Sequence, residues 1–359
     1  VMTKLNPDLH VVEESVKATA QRVMSTLDEP IYLSGHKLKV ACSIGIKLFS
    51  NKRQETVCDL LRQADIALHH NKREPQKKGG FSFFHKNMQR RVKERANLAR
   101  ELHDALEQKQ FYLHYQPQVL NNGKVFGLEA LLRWDHPTRD MIGPDEFIPI
   151  AEEAGLIDKL GRYVLHHALA ECSSFLANEV RETKLKIAVN ISPSHFRQID
   201  FVNQVKEIMD AFELQNWHLV LEITESVVIQ NIDDISDKIK QLHQLGVGIS
   251  LDDFGTGYSS LSYIQRLPFD TLKIDRSFIQ DIHTNSNDAA IVDAILAMTA
   301  SLGVSVIAEG IETREQQRFL EQRGCKRYQG YLFARPALLS NCRGIVNLAA
   351  TDVMLSPEC

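Results

Sequence analysis

Between Phe111 and about Leu339 the chain repeats one pattern: a short apolar run closes on a polar residue, and a helix-patterned segment of ten or more residues follows. The runs expected as strands are Tyr112 to Val119, Val125 to Trp134, Leu185 to Ile191, Leu219 to Thr224, Val247 to Leu251, Thr271 to Ile274, Val304 to Ala308 and Arg327 to Phe333. The long helices between them include Gly161 to Ala177, Phe201 to Phe212, Asp234 to Leu245, Asp288 to Leu302 and Arg314 to Arg323. Strands that alternate with helices argue for a parallel sheet. Eight such units over roughly 230–250 residues predict an α/β fold, a (β/α)8 TIM-like barrel. A doubly wound open sheet is the alternative, but no Gly-x-Gly-x-x-Gly follows the first strand.

In such a barrel the active site lies at the C-terminal ends of the strands. The polar residues there are Glu129, Asn190, Glu222, Asp252 with Asp253, Lys273, Glu309 and Gln329. Strand alternation puts Glu129, Leu131 and Arg133 on one face, and Val220, Glu222 and Thr224 likewise. Any one of these is ordinarily a helix cap or a rim charge; oxygen ligands or a lysine at nearly every strand end are harder to reach by chance. Asp252 and Asp253 close an apolar run, Val247 to Leu251. Adjacent side chains on a regular strand point to opposite faces. They converge only where the backbone bends, and Gly255 and Gly257 permit a bend. Converging carboxylates repel each other unless a cation lies between them, and a pair of divalent ions is the natural occupant. A solvated Asp-Asp-x-Gly turn is the plain alternative. The donors are carboxylates and amides, which favours Mg²⁺ or Mn²⁺ over zinc. His114, His136, His166 and His167 show no ligand spacing and read as structural.

A chain of 359 residues has room for two domains. Apolar content of 43% and charged content of 25% are ordinary for a globular protein. A formal net charge of −4 gives no reason to expect a nucleic-acid polymer as partner. The six cysteines are scattered with no CxxC, which points to free thiols in a reducing compartment, the cytoplasm. No secretory signal opens the chain, and the apolar region Ile291 to Ala308 is broken by Asp293, Ser301, Gly303 and Ser305. Val1 is not a natural start, so a fragment is expected, with sensory or other segments upstream.

The expected division is 1–84, a small α+β segment; 85–110, a linker helix; 111–345, the barrel; and 346–359, a tail. Within the first segment, Val11 to Leu27 and Thr56 to Asn71 carry helical periodicity. Ile31 to Leu33 and Lys37 to Phe49 flank a hairpin signal at Ser34-Gly35-His36, and Phe81, Phe83 and Phe84 mark a short closing strand. The basic run from Lys72 to Arg95 reads as solvated surface, because few aromatic platforms interleave with its charges. Residues 86–109 form one long helical pattern with an imperfect heptad.

Many separated motifs resemble one family. Glu129-Ala130-Leu131-Leu132-Arg133-Trp134 is similar to the signature of EAL domains, the phosphodiesterases of cyclic di-GMP. Tyr115-Gln116-Pro117, Val189-Asn190-Ile191-Ser192, Glu222-Ile223-Thr224-Glu225, Asp252 to Leu261, Lys273-Ile274-Asp275, Ala308-Glu309-Gly310 and Gln329 to Phe333 match the family's other words in order. Two positions depart from its pattern, Asp140 and Ala337. The resemblance implies hydrolysis of cyclic di-GMP to linear 5′-pGpG with two Mg²⁺ or Mn²⁺ ions. It assigns Glu129, Asn190, Glu222 and Asp252 to one ion, and Asp252, Asp253 and Glu309 to the other. Lys273 would contact the attacking water or its neighbouring carboxylates. Gln116, Leu132, Arg133 and Gln329 would contact substrate, Arg133 through its planar fork. Glu225 would anchor the loop after the double Asp, and that loop with the helix near Tyr258 would form a homodimer surface.

Cys42 to Ile46 and Leu60 to Leu68 resemble the C-terminal half of a GGDEF (diguanylate cyclase) domain. The Gly-Gly-Asp-Glu-Phe signature is absent, and His69-His70-Asn71-Lys72 departs from the family's Tyr-x-Ala-Lys, so no cyclase activity is expected of these residues. Two rivals to the phosphodiesterase remain: a barrel that binds cyclic di-GMP without cutting it, and a metal-assisted lyase or enolising barrel.

Overall fold

The computed structural model describes residues 8–28, 31–33, 36–38, 42–49, 55–72, 79–177, 184–212, 216–227, 232–255 and 266–346. The chain divides into two compact units, Val1–Arg100 and Glu101–Cys359. In the first, a helix, Leu9–Asp28, precedes β1 (Ile31–Leu33), which pairs antiparallel with β2 (His36–Leu38). The hairpin predicted around Ser34-Gly35-His36 is therefore present in its strands, with residues 34–35 outside the described set. The single strand expected from Lys37 to Phe49 is two: β2 and β3 (Ser43–Ile46). β3 runs parallel to β4 (Gly80–Phe83), and the connection carries the helix Val57–Lys72, whose Ala67 is fully buried. The helix Lys86–Glu107 follows, with Leu98, Leu102 and Ala105 buried along one stripe.

The second unit is a closed barrel of eight strands: β5 (Phe111–Leu120), β6 (Val125–His136), β8 (Leu185–Ile191), β9 (Trp217–Thr224), β10 (Gly248–Phe254), β11 (Thr271–Ile274), β12 (Ser305–Ala308) and β13 (Arg327–Gln329). A short β7 (Asp140–Ile142) adds to the far end of β6. Six neighbouring pairs are parallel, as the alternation predicts, but β5 runs antiparallel to both β6 and β13. The reason is the connection. Residues 121–124 separate β5 from β6, closed by Leu120 N–H donating to Lys124 O at 2.9 Å. A parallel crossover needs a dozen residues or more, so so short a link enforces a hairpin. The eight-fold strand–helix reading thus fails at its first unit.

The last strand is also shorter than expected. β13 stops at Gln329, and the chain turns with Phe333 N–H donating to Gly330 O at 3.1 Å. The turn lies against the loop after β12: a Cβ on Gly330 would stand 2.1 Å from Ile311 O, so only glycine lets the two backbones approach this closely. Elsewhere local signals and structure agree. Pro144 opens the helix Pro144–Glu153 with Asp145 and Glu146 in its first turn, and a Thr313–Gln316 capping box opens the helix Arg314–Gln322. Phe111, Trp134 and Phe147 close one end of the core, with ring centroids 5.4–5.8 Å apart. Cys42, Cys58, Cys172, Cys325 and Cys342 are free thiols. Among the described residues no helix is long and apolar enough to cross a membrane.

Candidate active site

Lys273 is the centre of the site. It is 1% exposed, in the middle of an apolar strand. Its Nζ stands 2.7 Å from Glu222 Oε2, 2.7 Å from Glu309 Oε1, 3.2 Å from Asp252 Oδ2 and 3.6 Å from Glu129 Oε2. Four strands of the barrel and the segment just after β12 therefore deliver one ammonium and four carboxylates to a single point. The parallel register explains the convergence: Asn190 lies level with Glu222 and two residues beyond the partner of Glu129, and Asp252 lies two residues beyond the partner of Glu222, so the offsets are even and keep these side chains on one face. Gln329 and Asn190 add amide donors, at 2.5 Å to Glu129 Oε2 and 2.6 Å to Glu129 Oε1.

One ammonium does not neutralise four carboxylates. Burial alone would lower the Lys273 pKa, but Asp252, Glu129, Glu222 and Glu309 outweigh it and hold the lysine well above its usual value. Burial pushes Glu129 up, yet Lys273 and the donated hydrogen bonds keep it below the ordinary carboxylate range. The others bear the excess. Burial and the Glu129 charge push Glu222 well up, and burial lifts Glu309 to about 8 against the pull of Lys273. Partial desolvation of its carboxyl, then the Asp252 and Asp275 charges, raise Asp253 to about 6.

Two further observations bear on which ion these residues could hold. Glu222 Oε1 is buried with no hydrogen-bond partner among the described residues, and the donor set is all oxygen. Both fit a hard divalent cation. Among the described residues no three acids are already grouped as ion ligands; they gather on the ammonium instead.

A cavity of about 420 Å³ opens over this cluster. Of the residues expected from sequence, Gln116, Glu129, Asp252, Lys273, Glu309 and Gln329 line it. Glu222 lies beneath, touching Lys273. Asn190 acts through Glu129. Leu132 is 8% exposed and its neighbour Leu131 faces the cavity instead, because alternation turns Leu132 to the other side of β6. Arg133 is half-buried, donates to Leu132 O at 2.9 Å, and stands among Tyr112, Tyr331, Glu129 and Asp145. Asp253 is exposed, with φ 54°, and its N–H donates to Asp252 Oδ1 at 2.9 Å. The bend expected of the following glycines thus begins on Asp253 itself, a strained conformation for a side-chain-bearing residue. Glu225 opens a short turn after β9, and its Oε2 is buried with no partner among the described residues. The loop it was expected to anchor, and the dimer surface near Tyr258, lie in residues 256–265, outside the described set.

Sequence reasoning missed Asp145, Arg276, Glu312 and Tyr331, which line the cavity, and Asp275, which caps the helix Arg276–Ile279 and raises Asp253. Asp275 was legible as the acid two positions past Lys273. The others sit on loops and a helix start, where no strand periodicity marks them. A larger, more open hollow of about 710 Å³, lined by Glu171, Phe175 and Arg343, gathers no converging acids.

The fold and site define a class: a barrel whose C-terminal rim collects four acids around one lysine beneath an open cavity. The chain belongs to the EAL domain family, whose model matches residues 99–336. Residues 7–78 match the model of the diguanylate cyclase GGDEF domain. Over 318 residues the chain is 42% identical to the bifunctional diguanylate cyclase/cyclic di-GMP phosphodiesterase MucR of Pseudomonas aeruginosa, covering 88% of this chain and 46% of that one. It is 41% identical over 323 residues to the cyclic di-GMP phosphodiesterase NbdA of the same organism, covering 89% and 40%. The chain thus spans less than half the length of these curated relatives. The solved MucR phosphodiesterase in complex with cyclic di-GMP superposes with a TM-score of 0.64 at 43% identity, covering 68% of this chain and 99% of that one.

Proposed function

We propose that this chain hydrolyses cyclic di-GMP to linear 5′-pGpG with two divalent ions, Mg²⁺ or Mn²⁺. The observation that carries the reading is the cluster of Glu129, Glu222, Asp252 and Glu309 on Lys273 beneath an open cavity. The similarity to a phosphodiesterase solved with cyclic di-GMP supports it. Glu129, Asn190, Glu222 and Asp252 would hold one ion, and Asp252, Asp253 and Glu309 the other. Ions held there would supply charge neutralisation of the phosphodiester and a more acidic water. Lys273 contributes a fixed, dehydrated positive charge at the cavity floor, placed to steady negative charge as it develops. Gln116 and Gln329 present amides to the substrate, and Arg133 a planar fork suited to a phosphate oxygen. Free thiols support a cytoplasmic location. Dimerisation through the barrel, sensory segments upstream, and the division 1–84, 85–110, 111–345 and 346–359 belong to the same reading. The division is supported by the family match from 99 and the compact unit from Glu101.

The direct test is product analysis of cyclic di-GMP incubated with the chain in Mg²⁺, Mn²⁺ and EDTA. Linear 5′-pGpG that forms with either ion and not in EDTA is expected. Binding without turnover would make the barrel a receptor, and no binding at all would favour the lyase.

Metal should also stabilise the fold, and more so at higher pH. Glu309, Asp253 and Glu222 have folded-state pKa values above their unfolded ones. Between the ordinary carboxylate range and about pH 8 the folded chain therefore holds more protons than the unfolded one, and metal-free stability falls as pH rises through that window. An ion replaces those protons, so its benefit grows over the same window. Melting curves at pH 6 and pH 8.5, in EDTA and in Mn²⁺, check this; an equal Mn²⁺ shift at both pH values would contradict it.

A further inference from the structure

The antiparallel course of β5 brings a third glutamine to the site. Gln116 and Gln118 lie two residues apart on one face of the strand, both buried. Gln118 does not line the cavity. It stands across from Gln329 on β13 and across from Gly127 on β6. Its Nε2 donates to Gln329 Oε1 at 3.0 Å. Gln329 Nε2 in turn donates to Gln116 Oε1 at 3.0 Å and to Glu129 Oε2 at 2.5 Å, and Gln116 Nε2 donates to Ala334 O at 3.1 Å.

A carboxamide has a donor end and an acceptor end of nearly equal size, so something must decide which end faces where. Here the two far ends of the chain are acceptors only: the carboxylate of Glu129 and the carbonyl of Ala334. Both must meet an NH₂. That fixes Gln116 with its oxygen toward Gln329, and Gln329 with its nitrogen toward both Gln116 and Glu129. The Gln329 oxygen is left pointing away from the cavity, where it needs a donor, and Gln118 is that donor. We propose that Gln118 is a positioning residue for the site: through Gln329 it fixes the amide face that Glu129 and Gln116 meet.

Without the Gln118 donor a buried oxygen of Gln329 is unpaired, which is costly enough to make the amide shift toward another donor. Glu129 and Gln116 still require its nitrogen, so the amide is displaced and not flipped, and the hydrogen bond that orients the Glu129 carboxylate is weakened. The backbone opposite is adapted to the same arrangement. A Cβ on Gly127 would stand 2.8 Å from Gln118 Oε1, so the glycine leaves room for the Gln118 side chain in this rotamer.

Gln118→Met keeps the volume and removes the donor; Gly127→Ala keeps the donor and displaces it. The kinetic part of the test rests on the phosphodiesterase reading: Gln118→Met is expected to lower kcat/KM for cyclic di-GMP roughly five- to tenfold. In a Gln329→Met background the same change is expected to do almost nothing further, because its route to the site is already gone. A second readout needs no turnover. In ¹⁵N-glutamine-labelled, metal-free protein, the side-chain amide signal that disappears in Gln329→Met should shift and exchange faster with solvent in Gln118→Met and in Gly127→Ala. If the parent does not hydrolyse cyclic di-GMP, the functional reading fails and the spectrum alone decides on Gln118. A Gln329 signal unmoved by both variants overturns the positioning role, as does an equal kinetic loss from Gln118→Met in both backgrounds. Gln118→Met unfolding alone leaves Gly127→Ala to give the answer, and the reverse holds too.

Discussion

Lys273→Met is expected to lose about 3–5 kcal/mol of stability at pH 8 in metal-free buffer, the usual cost of removing one partner from a buried ionic cluster. That is a fall of about 4–7 °C in melting temperature for a chain of this size. The side chain is 1% exposed and touches four carboxylates, so nothing else among the described residues takes its place at the centre. Methionine matches the stem and leaves the acids facing one another in a dry interior, where their mutual repulsion is poorly screened. The sign with pH is fixed. Without the ammonium, the Glu309 and Glu222 carboxyls rise further above their unfolded values, so the variant is most stable near pH 5 and loses stability as the pH rises through their folded values. Mn²⁺ should restore part of the loss by supplying the missing charge. Thermal unfolding from pH 5 to pH 8.5, with EDTA and with Mn²⁺, reads all three effects. A variant that melts with the parent at pH 8 in EDTA would mean that the lysine is not what holds these acids together. Hydrolysis should fall at least a hundredfold at every pH.

Glu129→Ala is expected to lower kcat for cyclic di-GMP by about a hundred- to a thousandfold, with substrate affinity changed only a few-fold. Glu129 is held below the ordinary carboxylate range, and it accepts from Gln329 and Asn190 on its two oxygens. It is therefore a charged and firmly oriented carboxylate in the metal-free protein, and its loss removes a fixed ligand from the proposed ion site. Its removal also takes a like charge away from Glu222 and Glu309, so metal-free stability at pH 8 should change far less than in Lys273→Met. Activity and stability thus part company at this residue, as they do where function stores unfavourable charge. Steady-state kinetics, calorimetric binding of cyclic di-GMP and a melting curve separate the effects. Parent-like turnover in Mg²⁺ would remove Glu129 from the ion site, and with it the functional assignment.

Much of this was legible along the chain. Each barrel strand is largely an apolar run, and Asn190, Glu222, Asp252, Lys273, Glu309 and Gln329 lie at or beside a strand end, whereas Glu129 sits inside the twelve-residue β6, well before its end. Periodicity marks such positions because a buried strand has no other reason to carry a charge. The reading failed where the cause was not periodic. β5 looks like any other strand, and only the four residues that follow it show that it must reverse. Arg327 to Phe333 looks continuous, yet the chain turns at Gly330 to lie against Ile311. Asp145, Arg276, Glu312 and Tyr331 reach the cavity from turns and helix starts, where hydropathy carries no direction. Gln118 resembles a plain strand residue until β13 is placed beside it.

By itself the sequence determined the strands, the side of each that faces inward, and the chemical kinds of side chain delivered to one rim, because these follow from local polarity and a two-residue repeat. Only the tertiary structure decided which four carboxylates touch Lys273 and which amide end meets which oxygen. Those depend on distances of about 3 Å between residues up to 218 positions apart in the chain, as for Gln116 and Ala334, and local sequence carries no record of such distances.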